Sequence, residues 1–465
     1  MKHKFNRRNF LRTTGLVSLG LTSPLTSFFK LNALKASTLN NSSRDRAYKA
    51  LVCLYLGGGN DSFNMLIPRG SAEYSEYAVT RSNLAIPQSD IIPVDVLNGN
   101  GKTFGLHPSL PDVANIFNNN HLAFINNTGT LIQPTTKEEF NNNSVPLPLG
   151  LFSHADQTQQ WQTASPGQRT AIGWGGKIAD LMNSVNGNPN ISMNISLSGT
   201  NVFQYGNSNV EFSIDREGGA DNIYGYGDGW GVNVGRTQGI DLLMNRQYSD
   251  IYQKSYMDVL KGAHQGSQQF SEALANVPEF NTGFEVDEVS QSLSMIAKVI
   301  AARDDLGAQR QIFFIDYGGW DHHDELLNNQ QEMLTYVNDA LKSFAEVLNE
   351  LDVFDQVTTF TMSDFSRTLT SNGNGTDHAW GGNAMVMGGA VNGKKFYGEY
   401  PSLELGNNIE LGDGVMLPTT ANDLYFAELA LWFGITPSEL ATVFPNIANF
   451  YDVNSGVMPL GFLNL

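Results

Sequence analysis

The sequence predicts an α/β protein, a doubly wound and mainly parallel sheet with helices on both faces. Two observations carry this. Short runs such as "ALVCLYLG" (50–57), "RQIFFID" (310–316) and "QVTTFTM" (356–362) are apolar or β-branched for most of their length. Strands buried on both faces read this way, whereas half-exposed strands alternate. Stretches of helical period separate these runs, and strands alternating with helices close into a parallel sheet covered on both sides. A third regularity concerns function: each of these runs ends in a Gly-rich or polar turn that carries an acid or a histidine.

The elements follow in order. The strand at 50–56 leads into "GGGNDS", and "HLAFINNTGTL" (121–131) is a second short strand. "FSHADQTQQWQT" begins a helix, with Ser153 as the N-cap and Asp156 three residues on. "GWGGKIADLMNSV" is another helix, and "NISMNISLSG" alternates as a strand does. The segment 201–235 is rich in Gly, Asn, Tyr and Asp without a period and reads as an irregular insertion. Helical patterns span about 240–274 and 286–303. "MLTYVNDALKSFAEVLNELDVF" is amphipathic through Leu334, Val337, Leu341, Phe344 and Leu348. "NAMVMGGAV" is a late strand and "TANDLYFAELALWFGI" the last long helix. No linker interrupts 41–465, which is expected to form a single domain.

The 465 residues carry 46 acidic against 28 basic side chains, a net charge of -18. Nucleic acid is excluded as a partner, because phosphate contacts need Lys and Arg. The one cysteine, Cys53, lies inside an apolar run and reads as a small buried hydrophobe. Arg7-Arg8, followed by Phe10-Leu11 and a weakly apolar stretch, form a twin-arginine export signal within residues 1–40. Ser, Thr, Gly and Pro make that stretch a poor permanent membrane span. The expected location is therefore periplasmic or secreted, with the twin-arginine translocase as a partner during export.

Polar residues gather after three strands: Asp61 after the first; Asp316, Asp321, His322 and His323 after the second; and Asp364, Asp377 and His378 after the third. Ligands of open α/β sheets bind beyond the carboxyl ends of strands, so these groups can meet. Carboxylates mixed with imidazoles suit a borderline divalent metal such as zinc, while carboxylates by themselves suit manganese, magnesium or calcium. Each residue also has a local reading. Asp61 can cap a turn, and Asp364 can cap a following helix. His322 and His323 point opposite ways on an extended chain, and His323 shares a face with Asp321. Arg367 is placed to clamp an ester oxygen.

Taken together, "LGGGNDSFNMLIP", "NNTGTLIQPTT", "FSHADQTQQWQ", "GGWDHH" and "SDFSRT…GTDHAWGG" resemble the exported bacterial family of domain of unknown function 1501, within the alkaline phosphatase/sulfatase superfamily. The resemblance implies an alkaline-phosphatase-like fold with a hydrolytic site of one or two divalent ions. By the same resemblance, Asp61, Asp321, His323, Asp364 and His378 are metal ligands. The superfamily places a histidine after the Asp of the later strand; here Phe365 follows Asp364, so Asp377 is the candidate for the missing ligand. A nucleophile at a helix N-terminus implies Ser153, with His154 beside it to ligate or to bind an oxyanion. Thr135 and Thr136 are alternatives, and Asn60 and Asn127 are candidates to hold ester oxygens. The expected function is an exported metal-dependent hydrolase of phosphate or sulfate esters, acting on a small-molecule or glycan ester. The alternative is an inactive secreted protein that binds or assembles surface polysaccharide, using aromatic residues such as those in "YGYGDGWG".

Overall fold

The computed structural model describes residues 47–220 and 223–464; the expected export signal at 1–40 lies outside them. Its strands are β1 (Lys49–Gly57), β2 (Leu66–Pro68), β3 (Ile92–Val94), β4 (Phe104–Leu106), β5 (Leu122–Gly129), β6 (Asn194–Ser196), β7 (Phe212–Ser213), β8 (Arg310–Gly318), β9 (Val357–Ser363), β10 (Gly382–Met387), β11 (Phe396–Tyr397) and β12 (Thr420–Ala421). The main sheet runs β11-β5-β10-β9-β1-β8-β6-β7, with β12 also on β5, and β2-β4-β3 form a small second sheet. The pairs β9–β1, β1–β8, β8–β6 and β6–β7 are parallel, and β10 is antiparallel to both of its neighbours.

The apolar run of β1 follows from its central place. Ala50, Val52, Leu54 and Leu56 enter one core, where helices Glu288–Ala301 and Leu326–Glu350 supply Leu293, Ile296, Leu334, Val337 and Phe344. Leu51, Cys53 and Tyr55 enter the other, with Trp161, Trp174, Ile178, Tyr425 and Phe426 from helices His154–Thr163, Trp174–Met182 and Asn422–Phe433. Side chains of a strand alternate between faces, so both cores need apolar residues at every position. Burial of each large side chain stabilises the fold by about 1.5–3 kcal/mol.

Two expectations are corrected. The helix expected over 240–274 is two helices, Val232–Asn245 and Ile251–Ala275. The second starts where Asp250 caps it, accepting the N–H groups of Tyr252 and Gln253 at 3.0 and 2.9 Å. Asp364 caps no helix; β9 ends at Ser363 and an irregular loop follows. Within the insertion, the Asp180 carboxylate holds the loop by accepting the backbone N–H groups of Asn207, Ser208 and Asn209.

Parallel pairing brings the carboxyl ends of β1, β8 and β9 side by side, with Gly57 opposite Gly318 and Leu56 opposite Ser363. The glycines after β1 permit close approach. Gly58 and Gly59 have φ of 118° and 91°, and a Cβ on Gly58 would lie 2.6 Å from the Asp321 nitrogen. No helix among the described residues is long and apolar enough to cross a membrane.

Candidate metal centre

Three imidazoles and one carboxylate converge beyond these strand ends. His154 opens the helix after Phe152-Ser153, Asp321 and His323 follow β8, and His378 lies in the loop between β9 and β10. His378 Nε2 stands 3.1 Å from His154 Nε2 and 3.0 Å from His323 Nε2. Asp321 joins them, with Oδ2 3.4 Å from His154 Nε2 and Oδ1 3.1 Å from His323 Nε2 and 3.3 Å from His378 Nε2. One donor atom from each of His154, Asp321 and His378 lies within 4.8 Å of the others.

The outer nitrogens decide the tautomers. His378 Nδ1 is 2.7 Å from the Phe152 carbonyl, which only accepts, so Nδ1 carries the hydrogen. His154 Nδ1 is 2.6 Å from Asp364 Oδ2, and His323 Nδ1 is 3.1 Å from Asp377 Oδ1. With Nδ1 so engaged, His154 and His378 present Nε2 to each other and to Asp321, and His323 Nε2 stands beside this group without belonging to it. Bare lone pairs about 3 Å apart repel; a cation between them removes the repulsion. Donors around tetrahedral zinc stand about 3.3 Å apart at zinc–nitrogen distances of about 2.0–2.1 Å, so the spacing fits. A His whose outer N–H goes to a carboxylate or carbonyl is the usual arrangement of a metal ligand. Burial, together with His154 and Arg367, lowers the His378 pKa and disfavours a proton in the cation's place.

The surroundings lock this geometry. Asp364 accepts from Tyr55 Oη at 2.6 Å and from the Gly58 N–H at 3.1 Å, so it holds His154 from behind. The Phe365 ring packs on both His154 and His378, with centroids 4.8 and 4.7 Å away. Phe152 is held at φ 70°, a conformation unusual for a bulky residue, and this aims its carbonyl at His378. Partial burial by itself would raise the Asp321 carboxyl, but Arg367, with His323 and His154, holds its pKa below the ordinary value.

The other expected residues are placed differently. Asp61 does not join the centre: fully buried, it pairs with the equally buried Arg81. Arg81 also donates to Asn64 Oδ1 and to the Thr368 and Leu369 carbonyls. Arg367 is fully buried and cannot clamp a solvent-borne ester; it donates to Asp321 Oδ1 at 2.6 Å, to the Gly58 carbonyl and to Thr376. Asp364 and Asp377 stand behind the imidazoles. The Ser153 hydroxyl makes one hydrogen bond, the helix cap to the Asp156 N–H at 3.5 Å. Thr136 is likewise a cap, Thr135 bonds the Gln133 carbonyl, and Asn127 donates to the Leu417 carbonyl. His322 is buried at 4% exposure against Trp320, while its neighbour His323 is exposed at the centre.

Sequence reasoning missed Tyr55, Arg81, the Phe152 carbonyl and the Phe365 ring. Only Phe365 left a signal, as the departure from an Asp-His pair.

Residues 236–439 match the family described as "Protein of unknown function (DUF1501)". No curated protein sequence matches the chain. Among solved structures it is similar to Ps i-CgsB in complex with k-i-k-neocarrahexaose, at 12% identity over 87% of this chain and 77% of that one, with a TM-score of 0.34. It is also similar to the PsFucS1 sulfatase from Pseudoalteromonas sp., at 10% identity over 87% and 71%, with a TM-score of 0.35. The lipoteichoic acid synthase LtaP from Listeria monocytogenes is a third, at 10% identity over 84% and 80%, with a TM-score of 0.29. At these scores the likeness is too partial to carry chemistry.

Proposed function

We propose that this chain, whose residues 236–439 match the DUF1501 family, is an exported metal-dependent hydrolase of phosphate or sulfate esters. The observation that carries the reading is the convergence of His154, Asp321 and His378, each oriented by a partner on its far side. These three residues would hold one divalent cation, and two imidazoles with a carboxylate favour zinc over magnesium or calcium. Three protein donors leave an open coordination position, as catalytic sites do. When bound, the cation supplies Lewis-acid polarisation of an ester oxygen and acidifies water.

The chain's own residues do the rest. Arg367 fixes the rotamer of Asp321, and Asp364 with Tyr55 fixes His154. His323 forms a dyad with Asp377: its Nδ1–H rests on the carboxylate, and its Nε2 takes a proton from water as that oxygen bonds the phosphorus or sulfur, the bond to the leaving oxygen breaks, and the proton passes to the departing alcohol. Water is thus the nucleophile, and Ser153 keeps its place as a helix cap. Export rests on Arg7-Arg8.

The test is dialysis against a chelator, followed by assays on aryl phosphate, phosphodiester and aryl sulfate with zinc or manganese restored. Turnover that vanishes and returns with metal is the expected result. Protein that retains neither metal after expression with both present would overturn the reading. A second reading, glycan binding without catalysis, draws on the outward-facing rings of Tyr224 and Trp230, 85% and 74% exposed. Glycan retention that survives His378→Ala, with no metal-dependent turnover, would select it.

A further inference from the structure

We infer that the centre selects esters bearing a single negative charge, sulfate monoesters or phosphodiesters, over dianionic phosphate monoesters. This rests on the ester-hydrolase reading above. The geometry supplies an unusual charge inventory. Three carboxylates surround the point of convergence: Asp321 within it, Asp364 at 2.6 Å from His154, and Asp377 at 3.1 Å from His323.

Against these stands little positive charge. Among the described residues, Arg367 is the one Lys or Arg that contacts Asp321, Asp364, Asp377 or the three imidazoles. Its side chain is fully buried, and its N–H groups go to Asp321, Gly58 and Thr376. Arg169, the cation bonded to the helix that opens at His154, is spent on Asp156 at 2.8 and 2.9 Å. A divalent cation and Arg367 together balance Asp321, Asp364 and Asp377. A monoanionic ester then enters a nearly neutral field. The second charge of a dianion meets the carboxylates with no free guanidinium to fork onto it, the device that phosphate sites ordinarily use. One uncompensated unit charge at about 6 Å, with an effective dielectric of about 20, changes an equilibrium by roughly a hundredfold. Solvent at the exposed rim reduces this, so discrimination of at least about tenfold is expected.

The experiment compares phenyl phosphate, phenyl sulfate and methyl phenyl phosphate, which share one leaving group. Each is titrated calorimetrically into zinc-loaded protein at pH 8, where the monoester, with a second pKa of about 6, is a dianion. Phenyl sulfate or methyl phenyl phosphate is expected to bind at least about tenfold more tightly than phenyl phosphate. The faster turnover of one of the two then tells a sulfate ester from a phosphodiester. Asp377→Asn removes an exposed charge while keeping an acceptor for His323 Nδ1, and it is expected to narrow the gap severalfold. Phenyl phosphate binding as tightly as the monoanions, no binding of any of the three, or a gap unmoved by Asp377→Asn would overturn the inference. Binding in the expected order without turnover would leave the charge preference standing and defeat the hydrolase reading.

Discussion

Asp61→Asn separates a structural carboxylate from a metal ligand. Asp61 and Arg81 are both fully buried, and their ion pair ties the turn after β1 to the helix Ser71–Arg81. Removing one member of a buried pair strands the other charge and costs about 3–5 kcal/mol. Arg81 would keep its bonds to Asn64 at 3.1 Å, Thr368 at 3.0 Å and Leu369 at 3.2 Å. Asparagine also offers an acceptor worth about 1 kcal/mol. The expected loss is therefore about 2–4 kcal/mol. Urea unfolding followed by tryptophan fluorescence measures it, and elemental analysis of the same samples measures bound metal. The midpoint should fall while metal content stays at the wild-type value. Replacing both partners with apolar residues, Asp61→Leu with Arg81→Met, should recover part of the loss, because the pair has a desolvation cost of its own. A variant that loses metal with its midpoint unchanged would show that Asp61 is a ligand and that its place beside Arg81 has been misread.

Two further outcomes follow from the surroundings of the site and the core. Asp364→Ala removes the acceptor behind His154 and should weaken zinc binding by about 10–100-fold in a competitive-chelator titration; unchanged affinity would show that His154 does not need orienting. Burial raises the Asp423 carboxyl to about 7, with Lys177 offsetting part of the effect. Its folded value exceeds its unfolded one, so the protonated form favours folding: that contribution is full below the ordinary pKa of 3.8 and is lost as pH rises through about 7. Asp423→Asn should thus stabilise the protein at pH 8 by on the order of 2 kcal/mol and leave it nearly unchanged at pH 4, as chemical denaturation at the two values would register.

The architecture was legible because burial leaves a mark in composition. β1 and β8 are apolar throughout most of their length, since both faces are covered, and the amphipathic stripe of Leu326–Glu350 names the residues that cover one of them. Asp321, His323 and His378 were legible as polar residues where a sheet's strand ends require loops. The roles around them were not. A carboxylate that binds metal and one that orients a ligand look alike in sequence, so Asp364 and Asp377 were read as ligands although they stand on the far nitrogens of His154 and His323. Asp61 was misread because its partner, Arg81, lies twenty residues on in a helix whose pattern gives no sign of a buried guanidinium. Tyr55 reads as one more apolar strand residue; its hydroxyl matters only because parallel pairing sets it below the loop after β9. The helix break at Asp250 was missed because apolar spacing continues across it, and a capping residue inside a periodic stretch carries little weight beside that period.

The most direct measurement is zinc K-edge X-ray absorption on protein loaded with one equivalent of zinc. The expected spectrum has a nitrogen and oxygen shell at about 2.0–2.1 Å with outer-shell scattering from two imidazole rings. It should lose imidazole scattering in His154→Ala and His378→Ala. Zinc that is not retained, or an all-oxygen shell without imidazole scattering, would contradict a centre built on His154, Asp321 and His378.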